Sequence, residues 1–188
     1  IRPFAENYPA YVWAIHKLIP SNPDLLDPDK QTTFVLGGFT HTNPTRFNFE
    51  HFVHSIHSHP TLVFLDQNIL PLSFTRHPNR IQAQLENLPL PPQSIDFIFL
   101  DHTQQFMDDI SLKSFFQSAS ITLKPNGLLL ISNNEKIIPL PKPIVDIFEK
   151  VPTFDRKSET ICNMSPLKTV LKINAGTNDL LVFSRQDS

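Results

Sequence analysis

Cysteine is nearly absent. Cys162 stands alone among 188 residues, which excludes a disulfide framework and any multi-cysteine zinc site. Glycine is almost as scarce, with 4 residues, so few loops can bring bare backbone close to a phosphate or a cofactor. No apolar run approaches the ~20 residues of a membrane-spanning helix. An excess of charge of one sign is also missing: 16 lysines and arginines face 18 aspartates and glutamates, a formal net charge of −2. Such a balance carries no electrostatic footprint for nucleic acid or an anionic membrane. Charged residues make up only 18% of the chain and hydrophobic residues 40%, too apolar for a disordered segment. The start, Ile1-Arg2-Pro3-Phe4, has no apolar core of a secretory signal. It also lacks an initiator Met, so a trimmed chain or a piece of a longer one is expected. A lone thiol and no export signal suit a cytoplasmic location.

What the chain does hold is 18 prolines, 16 phenylalanines and 8 histidines. Its length is that of one ordinary domain. Tyr8, Tyr11, Val12, Ile15, Leu18 and Ile19 recur at three- and four-residue steps and predict an amphipathic helix. Prolines and aspartates from Pro20 to Pro28 then break it. Residues 1–30 are thus read as a helix and linker, and residues 31–188 as an α/β domain. Five apolar strands are expected: Phe34 to Leu36, Thr61 to Leu65, Ile81 to Leu85, Ile95 to Leu100 and Leu128 to Ile131. Helical stripes fall between them, Phe49 to Ile56 and Leu112 to Leu123. Strands apolar on both faces that alternate with helices predict a Rossmann-like, doubly wound, mostly parallel sheet. A further helix is expected over Val145 to Lys150. Thr169 to Ile173 and Leu180 to Ser184, separated by Asn174 to Asn178, predict an antiparallel C-terminal hairpin.

The stretch from Leu85 to Ser132 is the most informative. It reads Leu85-Glu86-Asn87-Leu88-Pro89, then Ser94-Ile95-Asp96-Phe97-Ile98-Phe99 and Leu100-Asp101-His102. Phe106-Met107-Asp108-Asp109 follow, and Leu123-Lys124-Pro125-Asn126-Gly127 leads into a strand that ends at Ser132. This succession resembles the class I S-adenosylmethionine-dependent methyltransferases of the small-molecule type. The helix before the first strand resembles that family's N-terminal lid helix, and the tail hairpin resembles its antiparallel last strand.

The resemblance implies a cofactor, S-adenosylmethionine, and a set of residues for it. Gly37 and Gly38, with Phe39 after them, lie on the glycine motif at the end of the first strand. The motif is degenerate here: Phe39 and His41 stand where the family has glycines, and Val35 stands at its acidic position. Asp66 falls on the acid that accepts from the ribose hydroxyls, Gln84 near the adenine amino group, and Leu85 beside the adenine ring. Asp101 and His102 follow the fourth strand, at the edge where open α/β sheets bind ligands. Asp101 counts as a cofactor contact, and both as candidates for a general base. The family's closing histidine is replaced by Phe106.

Plainer readings stand beside these. Asp66 could serve as a loop or helix-capping carboxylate, and Asp96 reads as a structural strand-start residue. His51, His54, His57 and His59 form a ribbon around a helix and do not converge on a metal. Cys162 has no histidine partner nearby in sequence and reads as a lone thiol. The absence of G-x-G-x-x-G disfavours nicotinamide dinucleotides. Leu100-Asp101-His102-Thr103 is not the N-P-P-Y type of signature that marks amino-group methylation of nucleic acid. Two functions remain: methyl transfer from S-adenosylmethionine to a small molecule, or a catalytically inactive domain of the same fold used for binding or assembly. The partners expected are a small-molecule substrate and either a larger chain or a second copy, with no nucleic acid, membrane or metal.

Overall fold

The computed structural model describes residues 3–37, 42–69, 72, 77–101, 107–134, 166–175 and 178–185. Helix α1 (Pro3–Leu18) is followed by two short 3₁₀ turns and strand β1 (Thr32–Gly37). Next come α2 (Thr42–Ile56), β2 (Pro60–Asp66), β3 (Arg80–Gln82), β4 (Ile95–Asp101), α3 (Asp109–Thr122), β5 (Leu123–Asn134), β6 (Leu167–Ala175) and β7 (Asn178–Arg185). The strands form one seven-stranded sheet in the order β3-β2-β1-β4-β5-β7-β6. β1 to β5 are mutually parallel, and β7 enters antiparallel between β5 and β6. The doubly wound sheet and its antiparallel hairpin agree with the sequence pattern. The helix expected over Val145 to Lys150 lies outside the described residues. Among the described residues, no helix is long and apolar enough to cross a membrane.

Alternation along each strand builds two cores. Phe34 and Leu36 of β1, Phe64 of β2, Phe97 and Phe99 of β4 and Leu128 and Leu130 of β5 face α1 and α2, where Tyr11, Ala14, Ile15, Phe49, Phe52 and Val53 meet them. This side is aromatic. Phe34 stacks on Phe97 across the β1–β4 pair, centroids 4.8 Å apart and planes within 3°, because the two are register partners. Tyr11, Phe49 and Phe52 each approach Phe99 edge-on, the arrangement that ring quadrupoles favour. The opposite side is mainly aliphatic. Val35, Leu65, Ile98, Leu100, Leu129 and Ile131 pack there against α3 and against Leu85 and Leu88. Two-sided burial is the reason these strands carry no polar alternation.

The third strand, expected over Ile81 to Leu85, is confined to Arg80–Gln82 because its partner β2 ends at Asp66, opposite Gln82, and Leu85 falls in a 3₁₀ turn, Leu85–Asn87. Two further details differ from the sequence expectation. β5 starts earlier than the run Leu128 to Ile131: Leu123 already pairs with Ile95, and pairing resumes at Leu128 with Phe97. The turn residues Lys124 to Gly127 are looped out between these two points. Asn126 takes a positive φ of 62° there, which asparagine tolerates. A Cβ on Gly127 would stand 2.9 Å from the Lys124 carbonyl oxygen, so the turn needs a glycine. The second detail is His57, which is buried at 4% exposure, while His51, His54 and His59 are exposed. Its Nδ1 accepts from the His59 backbone N–H at 3.1 Å. The ring hydrogen is thereby assigned to Nε2, which lies 3.2 Å from the Asp27 carbonyl oxygen and 3.1 Å from Thr32 Oγ1.

Candidate functional site

Order β3-β2-β1-β4-β5 reverses direction between β1 and β4, and the crevice at the carboxyl ends of these two strands is where open α/β sheets bind ligands. Gly37 closes β1 at that point. It pairs with Leu65 on one side and Leu100 on the other. Asp66 and Asp101 therefore each stand one residue further along, flanking the end of β1. The Asp101 backbone pairs with Ser132 of β5, and that of Asp66 with Gln82 of β3. Two of the expected acids are thus brought to one edge by strand register.

Asp66 is 1% exposed. Its Oδ1 accepts from the Asn68 backbone N–H at 2.8 Å, a local turn that aspartate side chains form readily. Its carbonyl oxygen accepts from the Ala83 N–H at 3.0 Å, which ties the chain leaving β3 to the end of β2. The local turn is the plainer role weighed for this residue. A carboxylate has two oxygens and about four acceptor positions.

Gln84 follows directly and is exposed, with extended backbone (φ −77°, ψ 141°) at the start of the short turn Leu85–Asn87. Leu85 itself is 7% exposed. Its Cδ2 sits 3.0 Å from where a Cβ on Gly37 would be, and Leu100 Cδ1 is 3.5 Å from the same point. The leucine fills the space the glycine leaves, so its side chain forms the floor beneath the end of β1. Val35, at the family's acidic position, is fully buried on the aliphatic side and has no polar group to offer a ligand. Gly38, Phe39, His41, His102 and Phe106 lie outside the described residues, as does Cys162. Among the described residues, no group of three or more histidine, cysteine, aspartate or glutamate side chains could hold a metal.

Asp96, by contrast, is at the other end of β4. Its Oδ2 accepts from the Thr33 backbone N–H at 2.8 Å, and the Lys124 ammonium donates to both its oxygens at 2.8 and 2.9 Å. It joins the starts of β1, β4 and β5 and is remote from the crevice.

Residues 49–131 match the family model of the methyltransferase domain. They run from α2 through β5 and include Asp66, Gln84, Leu85 and Asp101. The fold is that of the class I methyltransferases. No curated protein matches the chain in sequence. A methyltransferase from Aquifex aeolicus described as dependent on S-adenosylmethionine is similar at 18% identity and a TM-score of 0.63, over 92% of this chain and 97% of that one. One from Mesorhizobium loti gives 15% and 0.60, over 89% and 97%. The geranyl diphosphate C-methyltransferase of Streptomyces coelicolor, solved with Mg2+, geranyl diphosphate and S-adenosyl-L-homocysteine, gives 12% and 0.61, over 92% and 77%.

The residues at the crevice fit the adenosine half of such a cofactor. A buried carboxylate ends β2, an exposed amide follows β3, and the Leu85 side chain makes an apolar floor 3.0 Å from where a Cβ on Gly37 would stand. Sequence reasoning did not find the contact behind this floor: the run Leu85-Glu86-Asn87-Leu88-Pro89 does not reveal that Leu85 packs under Gly37.

Proposed function

We propose that this chain transfers a methyl group from S-adenosylmethionine to a small-molecule acceptor, working in the cytoplasm. The observation that carries the reading is the match of residues 49–131 to the methyltransferase domain, with a buried aspartate at the end of β2 beside the switch point of the sheet. S-adenosylmethionine supplies a methyl group activated by its sulfonium. Asp66 accepts from the ribose hydroxyls, and Gln84 offers its amide to the adenine edge. Leu85, held on Gly37, gives the ring an apolar floor and keeps water from beneath it.

Asp101 and His102, after β4, are the groups of this chain assigned to the acceptor: they orient it for in-line displacement and take its proton where it has one to lose. Proximity and orientation then supply most of the rate enhancement, with at most one general base.

Calorimetric titration with S-adenosylmethionine and S-adenosylhomocysteine tests the reading. Binding in the micromolar range is expected for both. Absence of heat and of any thermal shift at millimolar ligand would overturn it and leave a catalytically inactive domain of the same fold.

A further inference from the structure

We propose that Ser118 of α3 is a positioning residue for the cofactor, acting through the turn that carries Gln84 and Leu85. The proposal rests on the S-adenosylmethionine reading above. Residues 83–88 are slung between two anchors. At the front, the Ala83 N–H donates to the Asp66 carbonyl oxygen at 3.0 Å, and within the turn the Asn87 N–H donates to the Gln84 carbonyl oxygen at 3.2 Å. At the rear, the Leu88 N–H donates to Ser118 Oγ at 2.8 Å.

Leu88 is 5% exposed and Pro89 follows it. The Leu88 amide is therefore the last backbone donor of the segment before a residue that has none, and the part-buried Ser118 hydroxyl is its acceptor. A serine in mid-helix is a poor helix former, and its hydroxyl commonly turns back on its own helix. Here it accepts instead from the segment that borders the crevice.

The geometry makes the anchor matter for binding more than for folding. Leu85 and Leu88 both contribute to the aliphatic core, so the turn stays on the sheet without the serine. The Leu85 methyl group, however, sits 3.0 Å from the Cβ position of Gly37, and a shift of the turn moves the floor and Gln84 together relative to Asp66.

The test is calorimetric titration of S-adenosylhomocysteine into the wild-type protein, Ser118→Ala, Ser118→Thr and, as a control at the far end of the sheet, Asp96→Asn. Ser118→Ala is expected to bind about five- to tenfold more weakly, the scale of one lost buried hydrogen bond. Ser118→Thr, which keeps the hydroxyl, is expected to stay within about twofold of wild type, and Asp96→Asn to bind as wild type even if it melts lower. Wild-type affinity in Ser118→Ala overturns the proposal and leaves the cofactor reading standing. Absence of binding by the wild type overturns the reading and the proposal with it. Should Ser118→Ala fail to fold, hydrogen exchange at the Leu88 amide of the wild type decides: slower exchange with ligand supports the anchor, and an unchanged rate overturns it.

Discussion

The two ends of the parallel sheet use their polar groups differently. At the amino-terminal end, nearly every polar side chain bridges elements that are distant in sequence. Asp96 holds Thr33 and Lys124, and Gln31 donates to Thr61 at 2.6 Å. His57 lies between the Asp27 carbonyl and Thr32, and the Arg185 guanidinium donates to the Leu123 carbonyl at 2.6 Å. The amides of Gln93 and Ser94 cap the last carbonyls of α3. At the carboxyl-terminal end, the Asp66 side chain accepts from the Asn68 amide two residues away, and Gln84 stands exposed. The amino-terminal end is closed by cross-links, while at the carboxyl-terminal end Asp66 makes a local turn and the Gln82 side chain donates to the Gln67 carbonyl oxygen at 3.2 Å. The proposed cofactor site lies at the second of these ends, so substitutions at the two ends should separate in stability and affinity.

The sharpest break in that comparison is Asp66→Ala. It should weaken S-adenosylhomocysteine binding by about 1.5–3 kcal/mol, the worth of hydrogen bonds to a charged group, while the melting temperature falls less than for a core truncation, because no large apolar side chain leaves the core. Titration calorimetry beside differential scanning calorimetry checks both halves. Asp96→Ala should show the converse. Removing a partly buried carboxylate that joins three strands should lower the unfolding free energy by about 1–2 kcal/mol, read as a drop of about 2–4 °C per kcal/mol in a chain of this size, with ligand affinity unchanged. A loss of affinity there would mean that the two ends are not independent.

Gly37→Ala sharpens the comparison on a smaller scale. The new methyl group meets the flexible end of Leu85, so the floor moves a few tenths of an ångström and affinity should fall only a few-fold, about 1 kcal/mol or less. The smallest effect belongs to Lys30, in the exposed linker. Its ammonium is raised above the ordinary 10.5 by the hydrogen bond and charge of Asp24 and, more weakly, by those of Asp27. A raised value means that its stabilising contribution is complete below 10.5 and fades only as pH climbs through the folded-state value. Lys30→Met should therefore be indistinguishable from wild type in denaturant titrations at neutral pH, since solvent screens exposed pairs.

The sheet was legible because two-sided burial leaves runs such as Ile95 to Leu100 without polar alternation, and the hairpin because Asn174 to Asn178 separates two apolar segments. Features that depend on tertiary contact were not legible. Helical periodicity puts His57 at the edge of the α2 stripe. Its burial comes from the linker, whose Asp27 carbonyl folds back over it. The turn at Lys124 to Gly127 reads as the lead into a strand that begins at Leu128, yet the pairing of Leu123 with Ile95 places the start of the strand before the turn. The place of Asp66 at the end of a strand was legible from the apolar run before it. The buried Leu85 floor was not, because it depends on a missing Cβ on a neighbouring strand. The motif residues Gly38 and Phe39, and His102, remain expectations outside the described residues.

The placement of β7 has a consequence for how the molecule comes into being. This strand is the last in sequence of the seven and yet lies inside the sheet, between β5 and β6. During synthesis, the β5 segment Leu128 to Ile131 has no partner on its outer side until residues 178–185 have left the ribosome. A leucine-rich edge is thus open to pairing with other chains for that interval. Completion of the sheet is a late, long-range event, and a nascent chain halted before Asn178 carries an unfinished edge at the centre of its fold.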